Sequence, residues 1–217
     1  MTEIVLPWQR RRRERLDGLE PLLRLDKPSV LDLGCHRGLV GYTFAMYGAS
    51  VVHGCDIEKK SIDVAKALFA DVDDCDSDFR VHDLAKGTIP FAKPSYDVVL
   101  MLGVYHKLKR QMAGVALEAL VDLAVSRTDC FFAWNGVPEE VPIVSYIVDT
   151  HDMELLHEHP RDDPEQVTVV WARDPREQMR KIGSYDTDEL MKRVHGDDST
   201  ARIAMDEHGY RIIRDDK

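Results

Sequence analysis

The sequence predicts an α/β three-layer sandwich around a mostly parallel seven-stranded sheet that ends in an antiparallel hairpin. Three observations predict it. Short apolar runs alternate with segments of helical period from residue 29 to residue 150. One run, Tyr96 to Leu102 (YDVVLML), is almost continuously apolar, as a central parallel strand buried on both faces must be. The last two strand-like runs, 153–158 and 167–172, are joined by a short link with no helical pattern, so they pair antiparallel.

The elements follow in order. In 7–24 (PWQRRRRERLDGLEPLLR), Leu16, Leu19, Leu22 and Leu23 form an apolar stripe behind an arginine-rich turn, which predicts a helix that Pro21 breaks or kinks. Ser29 to Leu33 is a buried strand stopped by Gly34, and Gly38 to Tyr47 a helix. A second strand at 50–55 precedes a helix over 58–70, where Ile62, Ala65, Leu68 and Phe69 keep a helical period. Phe79 to His82 is the third strand and Tyr96 to Leu102 the fourth; a helix over 113–125 leads to the fifth, Cys130 to Trp134, and a helix around 139–150 closes the alternation. Five strand-then-helix units are thus expected before the hairpin. Residues 174–217 are highly charged and aperiodic, which predicts two short helices or a flexible extension.

Composition narrows the function. At 44 % hydrophobic and 31 % charged, the 217 residues can bury a sizeable core. The formal net charge of −10 repels phosphate backbones and disfavours nucleic acid as a partner, except at the basic run Arg10, Arg11, Arg12, Arg13 and Arg15. The four cysteines include no CxxC pair, and no apolar run has the length of a membrane helix or the form of a signal sequence. The expectation is a reduced, soluble, cytoplasmic protein without a membrane partner; its oligomeric state is open.

The chemistry sits at the ends of the predicted strands, where open α/β sheets bind ligands. Leu31-Asp32-Leu33-Gly34-Cys35-His36-Arg37-Gly38 is a strand that turns through glycine into a helix, so a ligand can approach the backbone closely. It is not G-x-G-x-x-G, because His36 and Leu39 hold the later glycine slots, and no P-loop pattern exists. Asp56, 22 residues after Gly34 and next to Ile57, can accept from ribose hydroxyls, or can cap the helix that follows. Asp83, followed by Leu84, can accept from an adenine amine, or can be an ordinary turn aspartate. The fourth strand ends at Leu102-Gly103-Val104-Tyr105-His106, and the fifth at Trp134-Asn135.

LDLGCHRG, HGCDIE, VHDL and YDVVLMLGVYHKL, in this order and spacing, resemble the motifs of class I S-adenosylmethionine-dependent methyltransferases, across roughly residues 25–173. A fainter similarity runs to the methyltransferase part of kinase–methyltransferases that terminate bacterial polysaccharide chains. The resemblance implies a Rossmann-like fold with S-adenosyl-L-methionine (SAM) as cofactor. Gly34 and Gly38, with Cys35 and His36, would line the methionine part; Asp32 and the Leu102–Gly103 backbone would bound its amino group. Asp56 with Ile57 would hold the ribose, and Asp83 with Leu84 the adenine. His36 departs from the family, where smaller residues are usual. It also implies three parts: an N-terminal helix over 1–25 covering the site, a methyltransferase domain over 26–173, and a charged extension over 174–217 acting as lid, arm or linker.

Absent motifs exclude subtypes. No Asn/Asp-Pro-Pro-Tyr/Phe run follows the fourth strand, and no cysteine lies between 76 and 129 to serve a cytosine C5 enzyme. Asn135 fits one slot of a metal-dependent catechol-type site, but Gly103 leaves the other without a carboxylate, so no catalytic metal is expected. What remains is in-line transfer by proximity and orientation. His106 is the candidate general base for a hydroxyl acceptor, with Tyr105, Trp134 and Asn135 lining the acceptor pocket. The expected acceptor is a small molecule or carbohydrate, phosphorylated or not. A tRNA or other RNA methyltransferase using the N-terminal arginines, and a non-catalytic SAM-binding domain blocked by His36, are the alternatives.

Overall fold

The computed structural model describes residues 16–161, 166–182, 202–206 and 209–213. Seven strands, β1 (Ser29–Leu33), β2 (Val51–Asp56), β3 (Asp76–Val81), β4 (Tyr96–Met101), β5 (Thr128–Gly136), β6 (Met153–Pro160) and β7 (Val167–Arg173), form one sheet in the order β3-β2-β1-β4-β5-β7-β6. β1 to β5 pair parallel. β7 alone runs the other way, antiparallel to both β5 and β6. The strand order reverses between β1 and β4, so the crevice for a ligand opens beside those two strand ends.

The strand period sorts side chains onto two faces. Val30, Val98, Leu100, Phe131, Ala133 and Val170 point to one apolar cluster. Leu31, Leu33, Val99, Met101, Phe132, Trp134 and Trp171 point to the other. Helices α1 (Leu39–Met46) and α2 (Lys59–Leu68) cover the first through Phe44, Ile62 and Leu68, and α6 (Pro175–Ile182) adds Ile182. Helices α3 (Tyr105–Lys109), α4 (Gly114–Ser126) and α5 (Val141–Asp149) cover the second through Leu108, Leu120, Val121, Val144 and Val148. Trp134 and Trp171 are fully buried, and truncating either to alanine would cost about 3–5 kcal/mol.

Three expectations are corrected. The third unit has no full helix: β3 is followed by one 3-10 turn, Leu84–Lys86, because Gly87 in the left-handed region ends it at once. In the described part of the N-terminal segment, the expected helix is replaced over Glu20–Arg24 by a 3-10 turn with Pro21 at its start, and this turn packs into the first apolar cluster. The His157 ring ties it to β6 by a 2.7 Å hydrogen bond to the Gly18 carbonyl. The arginines at 10–15 lie outside the described residues. Among the described residues, the charged C-terminal stretch holds one helix, α6, and a separate antiparallel pair, β8 (Arg202–Asp206) and β9 (Gly209–Ile213), where the sequence predicted two short helices or a flexible extension.

At the sheet end opposite the crevice, the His53 ring stacks on Phe91 with centroids 5.0 Å apart, and its Nδ1 accepts from the Tyr96 hydroxyl at 2.7 Å. Burial raises Tyr96 to about 12, which keeps that hydroxyl a donor. Burial also lowers the His53 pKa from 6.5, opposed by Asp76 and Asp78 and reinforced by Arg80 and Lys93. A depressed folded value means stability that is present above 6.5 and lost as the pH falls through the folded pKa. Urea midpoints should therefore fall between about pH 7 and about pH 5, and His53→Gln should flatten that dependence; an unchanged slope in the variant would refute the assignment.

Candidate functional site

A cavity of about 330 Å³ lies at the carboxyl ends of the parallel strands, within the range of small-ligand sites. Its first wall is the turn after β1. The Gly34 and Cys35 amides both donate to the Cys55 carbonyl, at 2.9 and 3.0 Å, and the Gly38 amide donates to the Cys35 carbonyl at 2.9 Å. Such a tight turn needs left-handed backbone at Gly34 (φ 80), His36 (φ 50) and Gly38 (φ 72). A histidine in that region costs roughly 1 kcal/mol, so His36 is held there by its surroundings. Asp32, Gly34, Cys35 and His36 line the cavity. Burial, with Asp32 beside it, pushes the Cys35 thiol far up, so it lines the wall as a neutral group.

The next two walls carry carboxylates. Asp56 Oδ2 accepts from the His36 amide at 2.9 Å and Oδ1 from the Glu58 amide at 2.9 Å. It thus fastens the turn after β1 to the start of α2, and both line-mates Asp56 and Ile57 face the cavity. The capping and ligand readings coexist, since each carboxylate oxygen has a second lone pair. Asp83 Oδ1 accepts from the Ala85 amide at 3.0 Å, and His82, Asp83 and Leu84 close that side.

The fourth wall comes from β4, β5 and the β6–β7 connection. Leu102, Gly103 and Asn135 line it as expected. The Gly103 amide donates to Asn135 Oδ1, which locks the two strand ends together and fixes the orientation of an Asn135 side chain that is 5 % exposed. Lys109 Nζ pairs with the buried Glu140 at 2.8 Å, which pins α3 to the 3-10 turn Pro138–Glu140.

Four expected positions fall elsewhere. Tyr105 and Trp134 are 4 % and 0 % exposed and pack edge-to-face at 5.5 Å inside the second apolar cluster, so neither lines the cavity. Gly38 caps α1 behind the wall, where a Cβ would meet Ala65 Cβ at 3.0 Å. His106 is exposed and absent from the cavity wall, because a helix turns its face by about 100° per residue. Burial, then Lys107 and Arg110, lower its pKa. His106→Ala should leave kcat within about twofold, where loss of a true general base costs about 10²-fold or more; steady-state kinetics check it.

The residues that do line the wall from α3 are Val104, Lys107, Leu108 and Gln111, a spacing of i, i+3, i+4, i+7 that was present in the sequence as a helical face. Arg161 and Gln166 complete it, linked by the Arg161 amide donating to the Gln166 carbonyl at 3.1 Å. No sequence pattern marks them; they arrive there because β7 reverses.

Comparison with known proteins agrees with this layout. Residues 30–124 match the family model described as a methyltransferase domain. The chain is 26 % identical over 165 residues to an O-antigen chain terminator bifunctional methyltransferase/kinase of Escherichia coli, covering 73 % of this chain. It spans only 20 % of that relative's length. The fold is similar to that of a magnesium protoporphyrin IX methyltransferase from Synechocystis with bound SAM, at a TM-score of 0.61, 17 % identity and coverage of 79 % of this chain and 86 % of that one. It is also similar to a putative RNA methyltransferase from Pyrococcus horikoshii, at 0.54, 16 %, and 72 % and 81 % coverage. No helix among the described residues is long and apolar enough to cross a membrane. Residues 30–124 thus match a methyltransferase domain, and the order of the seven-stranded sheet is that of the Rossmann-like methyltransferase fold it is similar to.

Proposed function

We propose that this chain transfers the methyl group of SAM to an oxygen of a small-molecule or carbohydrate acceptor. The observation that carries the reading is one cavity with two sides: Asp32, Asp56 and Asp83 at the ends of β1, β2 and β3, and a wall beyond β4 that includes Lys107, Gln111 and Asn135. The acidic residues suit a ligand that bears a sulfonium, an ammonium, a ribose and an adenine amine. Asp32 with the Leu102–Gly103 backbone would face the ammonium, Asp56 the ribose hydroxyls, and Asp83 with Leu84 the adenine. The Gly34 turn lets the ligand lie against the backbone. Bound SAM supplies an electrophilic methyl; this chain's residues then orient the acceptor in line and exclude water.

Calorimetric titration with SAM and S-adenosylhomocysteine (SAH) tests the cofactor half, and failure of both to bind would overturn it. A screen of sugars and sugar phosphates, read by methyl incorporation, tests the acceptor half. The sequence's arginine run keeps an RNA acceptor as the competing reading. Steeply salt-dependent tRNA binding that vanishes when those arginines are neutralised would favour it over the small-molecule reading.

A further inference from the structure

Among the described residues, the sheet has two edge strands, β6 and β3. The β6 edge is blunted, since its pairing slips between Leu155 and His157 and the strand ends at Pro160. The β3 edge is not. Its six residues include no proline and pair with β2 without a slip. The Asp76 amide donates to the Ser50 carbonyl and the His82 amide to the Asp56 carbonyl, both at 2.9 Å. Backbone groups alternate along a strand, so residues 76, 78, 80 and 82 face β2. The N–H and C=O groups of Ser77, Phe79 and Val81 therefore point outward. Val81 is 52 % exposed at this edge, and Asp76 and Arg80 are exposed beside it.

We propose that β3 pairs antiparallel with β3 of a second copy of this chain, joining two seven-stranded sheets about a two-fold axis. Charge selects both the partner and the register. Outward-facing residues must meet outward-facing residues, so only registers two residues apart can form. With Phe79 opposite its own copy, Ser77 meets Val81 and the two exchange main-chain hydrogen bonds. Asp78 of each copy then stands opposite Arg80 of the other, in the closer, non-hydrogen-bonded type of pair. A shift by two residues puts Asp78 against Asp78 in one direction and Arg80 against Arg80 in the other, and opposed like charges destabilise. Within one chain Asp78 and Arg80 already meet at 2.6 Å on one face of the strand, so the charges of both copies would alternate in sign around the axis. A charged edge ordinarily discourages pairing; this pattern of charges admits its own copy in one register.

Sedimentation of the full chain over a concentration series tests the proposal. The native chain should form a dimer that dissociates on dilution. Ser77→Pro removes an outward N–H and no bond to β2, so it should give a monomer with an unchanged thermal midpoint. Asp78→Arg and Arg80→Asp should each weaken self-association about tenfold or more by opposing like charges. Arg80→Asp also gives up the Arg80 hydrogen bond to the Pro90 carbonyl, so the decisive sample is the mixture of the two variants. Mixed, they should form a dimer again, because each supplies the charges that the other lacks. A native chain that stays monomeric throughout, a dimer indifferent to Ser77→Pro, or two variants that remain apart when mixed would overturn the proposal.

Discussion

Replacing Asp56 by alanine is expected to weaken SAM and SAH binding by about 100-fold or more. Two charge-assisted hydrogen bonds to ribose hydroxyls at about 1.5 kcal/mol each sum to roughly 3 kcal/mol. The variant also releases the His36 and Glu58 amides that the carboxylate now holds at 2.9 Å. Asp56→Asn separates these contributions. It keeps the shape and one acceptor oxygen but not the charge, so its loss should be nearer tenfold, the charged part of the interaction. Calorimetry decides. A native-like affinity in the alanine variant would show that the carboxylate is a helix cap and nothing more.

Gly34→Ala should damage both stability and binding. Its φ of +80 lies in the left-handed region, and a Cβ would stand 2.8 Å from Val104 Cβ and 2.9 Å from Val104 Cγ2. Backbone strain of about 1 kcal/mol and overpacking of about 1–3 kcal/mol add to roughly 2–4 kcal/mol. Relief of the clash would push the turn away from α3 and widen the cavity between them, so SAM affinity should fall as well. Val104→Gly in the same background removes the obstructing Cβ and should recover the overpacking part while the backbone part persists. Urea unfolding of the two single variants and the double variant measures this as a coupling. Strict additivity would mean that the two residues do not meet.

β1, β4 and β5 were readable from the sequence because each is an apolar run ended by glycine; β3, polar along most of Asp76–Val81, was placed only over 79–82. The antiparallel end followed from a link too short for a crossover. Asp32, Gly34, Asp56, Asp83 and Gly103 were readable because a parallel sheet brings its strand ends to one place, so motif spacing becomes proximity. The acceptor wall was not. Tyr105 and His106 are adjacent in sequence, but their positions depend on the phase of α3, and neither faces the cavity. Trp134 alternates with Asn135 along β5, and only one of such a pair can face the ligand; the larger ring went to the core. Arg161 and Gln166 carry no local signal, since their position follows from pairing between β5, β7 and β6.

The reversed β7 has an evolutionary consequence. Each parallel strand delivers one loop to the ligand crevice and must then send the chain back along the sheet, through a helix after β1, β2, β4 and β5. The β6–β7 pair delivers its connection to that crevice and returns directly as a strand. The described ends of this connection, Arg161 and Gln166, lie on the cavity wall outside both apolar clusters, so their sequence can change while the strands on either side keep their register. The cavity wall beyond β4 can diverge through this one loop while the turn after β1 and the carboxylates at the ends of β2 and β3 stay as they are. Under the proposed assignment, a domain so divided exchanges its substrates without rebuilding the half that would hold SAM.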